Sequence, residues 1–156
     1  MFGFLKKQRE KTEPQQQFDP RLHRALDKLN KVVRFNILPA LHQLPFVLGA
    51  DEEPEFILQG KLNGRESGVL VATPLRVFFF RPGAFGAFSV HELSYDVIKA
   101  VEYTARPLGG QVSLSGPGLT LTVTDVFPPL LCGPLVAYVK SQQRTKQEEG
   151  ELHGGC

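Results

Sequence analysis

"GVLVATPLRVFFFRPG", residues 68–83, is the stretch whose reading decides the fold. A membrane-spanning helix needs about 18 or more consecutive apolar residues, and Pro74 and Arg76 interrupt this run well short of that. A single long strand fails as well, because proline has no N–H for the ladder and is excluded from the middle of a central strand. Divided at Thr73-Pro74-Leu75-Arg76, the stretch becomes two strands of ordinary length around a type I turn, with Pro74 at the favoured second position. The expectation is an antiparallel hairpin.

Alternate side chains of a strand face opposite ways. Val69 and Val71 therefore oppose Leu70 and Ala72, and Val77 and Phe79 oppose Phe78 and Phe80. Both faces of the hairpin are apolar. A barrel interior accounts for one face only, and burial of one such Phe is worth about 1.5–3 kcal/mol, so the other face needs a cover. The nearest candidate is the segment "FDPRLHRALDKLNKVVRFNIL" (18–38), read as one amphipathic helix begun by Asp19 and Pro20. Leu22, Leu26, Leu29, Val33 and Ile37 form its apolar stripe, Ala25 and Val32 broaden it, and Pro39 ends or kinks it. A second copy of the chain, a partner or a membrane surface are the alternative covers.

Further strands follow from the same alternation. "EFILQGKL" (55–62) precedes the turn residues "NGRES"; "FSVHELS" (88–94), "DVIKAVEYTAR" (96–106), "QVSLS" (111–115) and "LTLTVTDV" (119–126) come after the hairpin. About seven short strands with no helix among them indicate a barrel or sandwich. The segment from Pro128 to Gln147 then reads as a helix begun by prolines, with Leu131, Leu135, Tyr138 and Val139 as its stripe. The organisation expected is a flexible basic arm over 1–17, a helical segment over 18–47, a barrel with its C-terminal helix over 48–147, and a disordered tail over 148–156.

At this point the residues resemble the YokE-like bacterial pleckstrin-homology (PH) domains. Members carry a Gly, an apolar run ending in Thr, a two-residue turn, an Arg and a second apolar run, followed by an aromatic residue, an Ile and a Val. Gly68, Thr73, Arg76, "VFFF", Tyr95, Ile98 and Val101 match in order. The similarity spans roughly residues 41–143, and Pro74-Leu75 departs from the polar or basic turn usual in the family. The resemblance implies a seven-stranded PH-like barrel capped by a C-terminal helix, mainly β, and it implies a fold more than an activity.

Charge and motif content agree with a non-catalytic role. Net charge is +2, but residues 1–47 hold nine Lys/Arg against four Asp/Glu, and "DEEPE" (51–55) then carries four acids. His23, His42, His91 and His153 share no metal-ligand spacing, no GxSxG or GxxxxGK[ST] motif is present, and no cofactor is expected. Two cysteines are too few for a disulfide framework, so Cys132 reads as a core residue and the chain as cytoplasmic, with the inner membrane face as the alternative location. "RPGAFGAFSV" departs from the basic-aromatic register of an RNA-recognition strand, so nucleic acid is not an expected partner and Phe85 and Phe88 read as packing under a glycine-bent loop.

The expected partners are an unknown protein or a second copy of the chain. Candidate binding-surface residues are Lys61, Arg65, Arg76, Arg81 and Lys99, with Arg106 beside them. Arg76 has a simpler alternative reading, as a charge that guards a sheet edge. Phosphoinositide-binding PH domains carry a further basic step on the second strand, which "ESGVLV" lacks, so a stereospecific headgroup clamp is not expected. The alternative function is diffuse attraction to anionic membranes through an arm in which Phe2 and Phe4 flank Lys6, Lys7 and Arg9.

Overall fold

Seven strands form one antiparallel sheet in the order β4-β3-β2-β1-β7-β6-β5. They are β1 (Phe56–Leu62), β2 (Glu66–Ala72), β3 (Arg76–Arg81), β4 (Ser89–Ser94), β5 (Ala100–Thr104), β6 (Gly110–Gly116) and β7 (Leu119–Phe127). The structure, a computed structural model, describes residues 17–154. The two ends of the ladder, β4 and β5, are joined by a short 3-10 turn, Tyr95–Val97. A C-terminal helix, Cys132–Gly154, packs against that turn, β5 and β6. Gln143 donates to the carbonyls of Tyr95 and Ile98 and so pins the helix to the seam. The helix continues past the expected end at 147, and Cys132, Leu135, Val136 and Val139 are buried along it. This is the mainly β, PH-like barrel with a C-terminal helix that the strand pattern indicates.

The hairpin forms as expected, with Leu70 opposite Phe79 and Val71 opposite Phe78. Cross-strand register places Ile57, Val69, Val71, Phe78 and Phe80 on one face of β1–β3, and Leu58, Leu70, Ala72, Val77 and Phe79 on the other. All of these side chains are fully buried. Gly68 lets the strands close: a Cβ there would lie 2.4 Å from the Phe80 carbonyl oxygen and 2.8 Å from the Phe79 ring.

The cover over the outer face is the N-terminal segment, but it is not one helix. It comprises a 3-10 turn (Pro20–Leu22) running into α1 (His23–Leu26), then α2 (Lys31–Asn36), α3 (Leu38–Gln43) and a last 3-10 turn (Leu44–Phe46); the C-terminal helix is accordingly α4. Two side chains stabilise the break after Leu26. The Asn30 carboxamide accepts from Val33 N at 2.9 Å and starts α2, while the Arg34 guanidinium donates to the Leu26 carbonyl, which also accepts from the Leu29 N–H. Pro39 sits in the first turn of α3 and begins that helix. The bend buries Leu22, Ala25, Leu26, Leu29, Val33 and Ile37, but it turns Val32 out to solvent, against the expectation that Val32 widens the apolar stripe. Replacing Asn30 by alanine is expected to lower stability by about 1 kcal/mol, read as a fall in melting temperature with the strand signal in circular dichroism unchanged.

The basic strap and the acidic patch meet. Arg24 pairs with Glu53 and Glu55, and Lys28 pairs with Glu55 at 3.1 Å while lying over the Phe56 ring. Arg21 ties the start of the strap to its end by donating to the carbonyls of Pro45, Leu48 and Gly49. Among the described residues, Arg24 and Lys28 of the strap thus complement the acidic patch.

Candidate functional site

Two places draw on the residues singled out in the sequence, and they differ in kind. The first is the β2–β3 turn. Thr73 Oγ1 accepts from the backbone N–H groups of Leu75 and Arg76, so its hydroxyl does the work of a turn carbonyl. The Thr73 carbonyl is thereby left to accept from the Tyr95 hydroxyl at 2.6 Å. The same Thr73 hydroxyl donates to Glu52 Oε2 at 2.7 Å. Arg76 grips Glu52 with two parallel hydrogen bonds of 3.0 Å, from Nε and Nη2. It also donates to the Val47 carbonyl and to Glu92, and it stacks 4.6 Å from the Phe78 ring.

Glu52 is almost entirely buried, its side chain 2% exposed against 19% for Arg76. Burial pushes its carboxyl up, but Arg76, the Gly49 N–H and the Thr73 hydroxyl together outweigh burial and hold it below the usual carboxylate range. Arg76 is raised in turn by its hydrogen bonds to Glu52. This cluster is structural: it clamps the end of the strap to the hairpin. β3 lies between β2 and β4, so Arg76 guards no edge, and its guanidinium faces Glu52 and Glu92 rather than a binding surface. In the sequence Glu52 is one of four acids in "DEEPE"; the signal that marks it is an Arg between two apolar runs, which needs a counter-charge.

The second place is the end of the sheet where the β1–β2 turn, the β3–β4 loop and the β6–β7 turn gather. Register fixes this, because Lys61 pairs with Ser67 and Phe80 with Val90, while the Asn63 N–H donates to the Thr122 carbonyl near the start of β7. Lys61 and Arg65 are exposed there with no side-chain partner among the described residues. Arg81 is about half exposed and pairs with Glu66 at 3.3 Å. Solvent screening limits such a pair to about 0–1 kcal/mol, so Arg81 is readily recruited by another anion.

Phe85 lies on the β3–β4 loop at this same end. Its side chain is fully exposed and its backbone is left-handed, with φ 57°, an outlier for a bulky residue. The expectation that Phe85 and Phe88 tuck under the loop fails for Phe85 and is met only in part by Phe88, which is 40% exposed although its ring meets Phe80 at 5.4 Å. The loop itself is held. The Gln43 carboxamide donates to the Gly83 carbonyl and accepts from its N–H. Gly83 lies so close to Ala87 that a Cβ would collide with the Ala87 carbonyl. Phe85 is thus presented on a braced loop.

The remaining candidates lie elsewhere. Lys99 is exposed on the β4–β5 connection, its N–H bonded to Ser115, and Arg106 belongs to the β5–β6 loop. Phe2, Phe4, Lys6, Lys7 and Arg9 lie outside the described residues. No cluster of metal-ligating side chains occurs among the described residues, and no helix there is long and apolar enough to cross a membrane.

A curled antiparallel sheet with a C-terminal helix packed on its seam defines a PH-like module. The family model of the bacterial PH domain matches residues 48–129, and the chain belongs to that family. No curated protein matches the chain.

Proposed function

We propose that this protein is a non-catalytic interaction domain that docks a protein partner on the loop end of the barrel, with Phe85 as the apolar anchor and Lys61, Arg65 and Arg81 as the charged rim. The observation that carries the reading is Phe85, a fully exposed aromatic in a strained backbone on a braced loop. Strain held in place by surrounding structure marks functional positions, and aromatic and arginine side chains dominate interface hot spots. The Thr73-x-x-Arg76 step favours the YokE-like members within the family. Self-association through the outer face of the hairpin loses its motive, because the strap buries that face.

A photo-crosslinking phenylalanine analogue placed at position 85 tests the reading in cells. A discrete protein adduct that Arg65→Glu weakens is the expected result. Phe85→Ser should leave stability within about 0.5 kcal/mol, as for other exposed positions. One observation favours a second reading: an exposed Phe85 at the same end of the sheet as Lys61, Arg65 and Arg81 also suits an anionic membrane surface. Adducts to lipid alone, with salt-sensitive pelleting on anionic vesicles that Phe85→Ser or removal of the N-terminal arm abolishes, would replace the protein partner by the membrane.

A further inference from the structure

A concave surface lies between the strap and the sheet, next to the loop end, with which it shares Lys61. Where α2 gives way to α3, the strap stands off the outer face of β1, β2 and β7 and leaves a cleft of about 550 Å³. That size falls within the range of small-ligand sites, about 300–1,000 Å³. Its strap wall comes from Asn36 to Ala40, which precede the segment matched by the family model, so the cleft is a property of this chain and not of the bare domain.

Val69, Phe127 and Pro82 supply apolar lining. Around them stand Asn36, Gln59, Lys61, Ser67 and Asp125, and among the described residues none of these five side chains is hydrogen-bonded or ion-paired. The contrast with Glu52 and Arg76, whose side chains are bonded on nearly every side, is sharp. Lys61 and Asp125 carry opposite charges on neighbouring strands, yet no ion pair joins them. Asp125 is aimed by a β-bulge: β7 offers both Asp125 and Val126 against Gly60, and Asp125 takes the left-handed conformation there, with φ 51°. Glycine suits such a position without strain, and the chain carries a carboxylate instead.

We propose that this cleft binds a small free peptide of two or three residues as a zwitterion. Its carboxylate meets Lys61 and its ammonium meets Asp125. The Gln59 and Asn36 carboxamides, each both donor and acceptor, read the peptide group, and an apolar side chain of the ligand lies against Val69, Pro82 and Phe127. The proposal goes beyond the loop-end docking and does not depend on it.

The test is a titration of the isotope-labelled full chain with leucyl-leucine, followed by backbone amide shifts. Saturable shifts at Gln59, Gly60, Ser67 and Val69 are expected. N-acetyl-leucyl-leucinamide, which lacks both charges, should bind about tenfold weaker or worse, the loss of charge-assisted hydrogen bonds. Lys61→Gln and Asp125→Gly should weaken the dipeptide likewise while the melting temperature holds, and Phe85→Ser should leave dipeptide binding unchanged. No saturable shift at any soluble concentration, equal binding of the capped form, or shifts confined to other surfaces would each overturn the proposal.

Discussion

Replacing Arg76 by methionine is expected to destabilise the protein by about 3–5 kcal/mol, because the Glu52 carboxylate then stays buried without its counter-charge. For a chain of this length that is a fall in melting temperature of roughly 6–20 °C. The loss has a pH signature. Glu52 is held below its ordinary value in the folded protein, so its contribution is fully present above the unfolded carboxylate pKa and disappears as pH falls through the folded one. In the methionine variant only the Gly49 N–H and the Thr73 hydroxyl still oppose burial, so the Glu52 carboxyl moves up and takes a proton on milder acidification than in the parent. The gap between the two proteins should therefore be widest near neutral pH and narrow as the solution is acidified. Glu52→Gln combined with Arg76→Met should recover most of the loss, since a neutral amide is far cheaper to bury than a lone charge. Chemical denaturation at two pH values decides it. A gap that is equal at both would mean that the pair contributes packing rather than charge.

The second large effect concerns neighbouring residues of one strand. Phe78→Ala and Phe79→Ala should each cost about 3–5 kcal/mol, the usual range for a buried phenylalanine. Their rings point to opposite faces of β3, one under the strap and one into the barrel. A sheet with one wet face would show the loss at Phe79 only. Since natural domains hold about 5–15 kcal/mol in total, either truncation removes a large part of the margin, and urea midpoints will show both.

These two cases also mark where the sequence could be read. The hairpin, its turn and the apolarity of both its faces follow from alternation and from one proline, which act over a few residues. The break in the strap does not. Leu22, Leu26, Leu29, Val33 and Ile37 keep helical spacing straight across it, and only the caps supplied by Asn30 and Arg34 interrupt the backbone. Glu52 was illegible for another reason, since its partner is far along the chain and its neighbours in "DEEPE" are ordinary surface acids. Of the candidate site, Lys61, Arg65 and Arg81 could be named because turns and strand ends are exposed by construction. Phe85 could not be separated from Phe88, as both follow an alanine in the same glycine-rich stretch and only the folded loop tells them apart.

The strap also sets an order of events during synthesis. Its helices span four to six residues each, far below the length of about 12–15 at which an isolated helix becomes even marginal in water. It leaves the ribosome before the strands it packs on, and the face it covers is not complete until Phe80 has been added. At about 5–20 residues per second the growing chain carries Leu22, Leu26 and Leu29 uncovered for a few seconds. Throughout that interval the apolar surface of a chaperone competes with a sheet that has yet to be made.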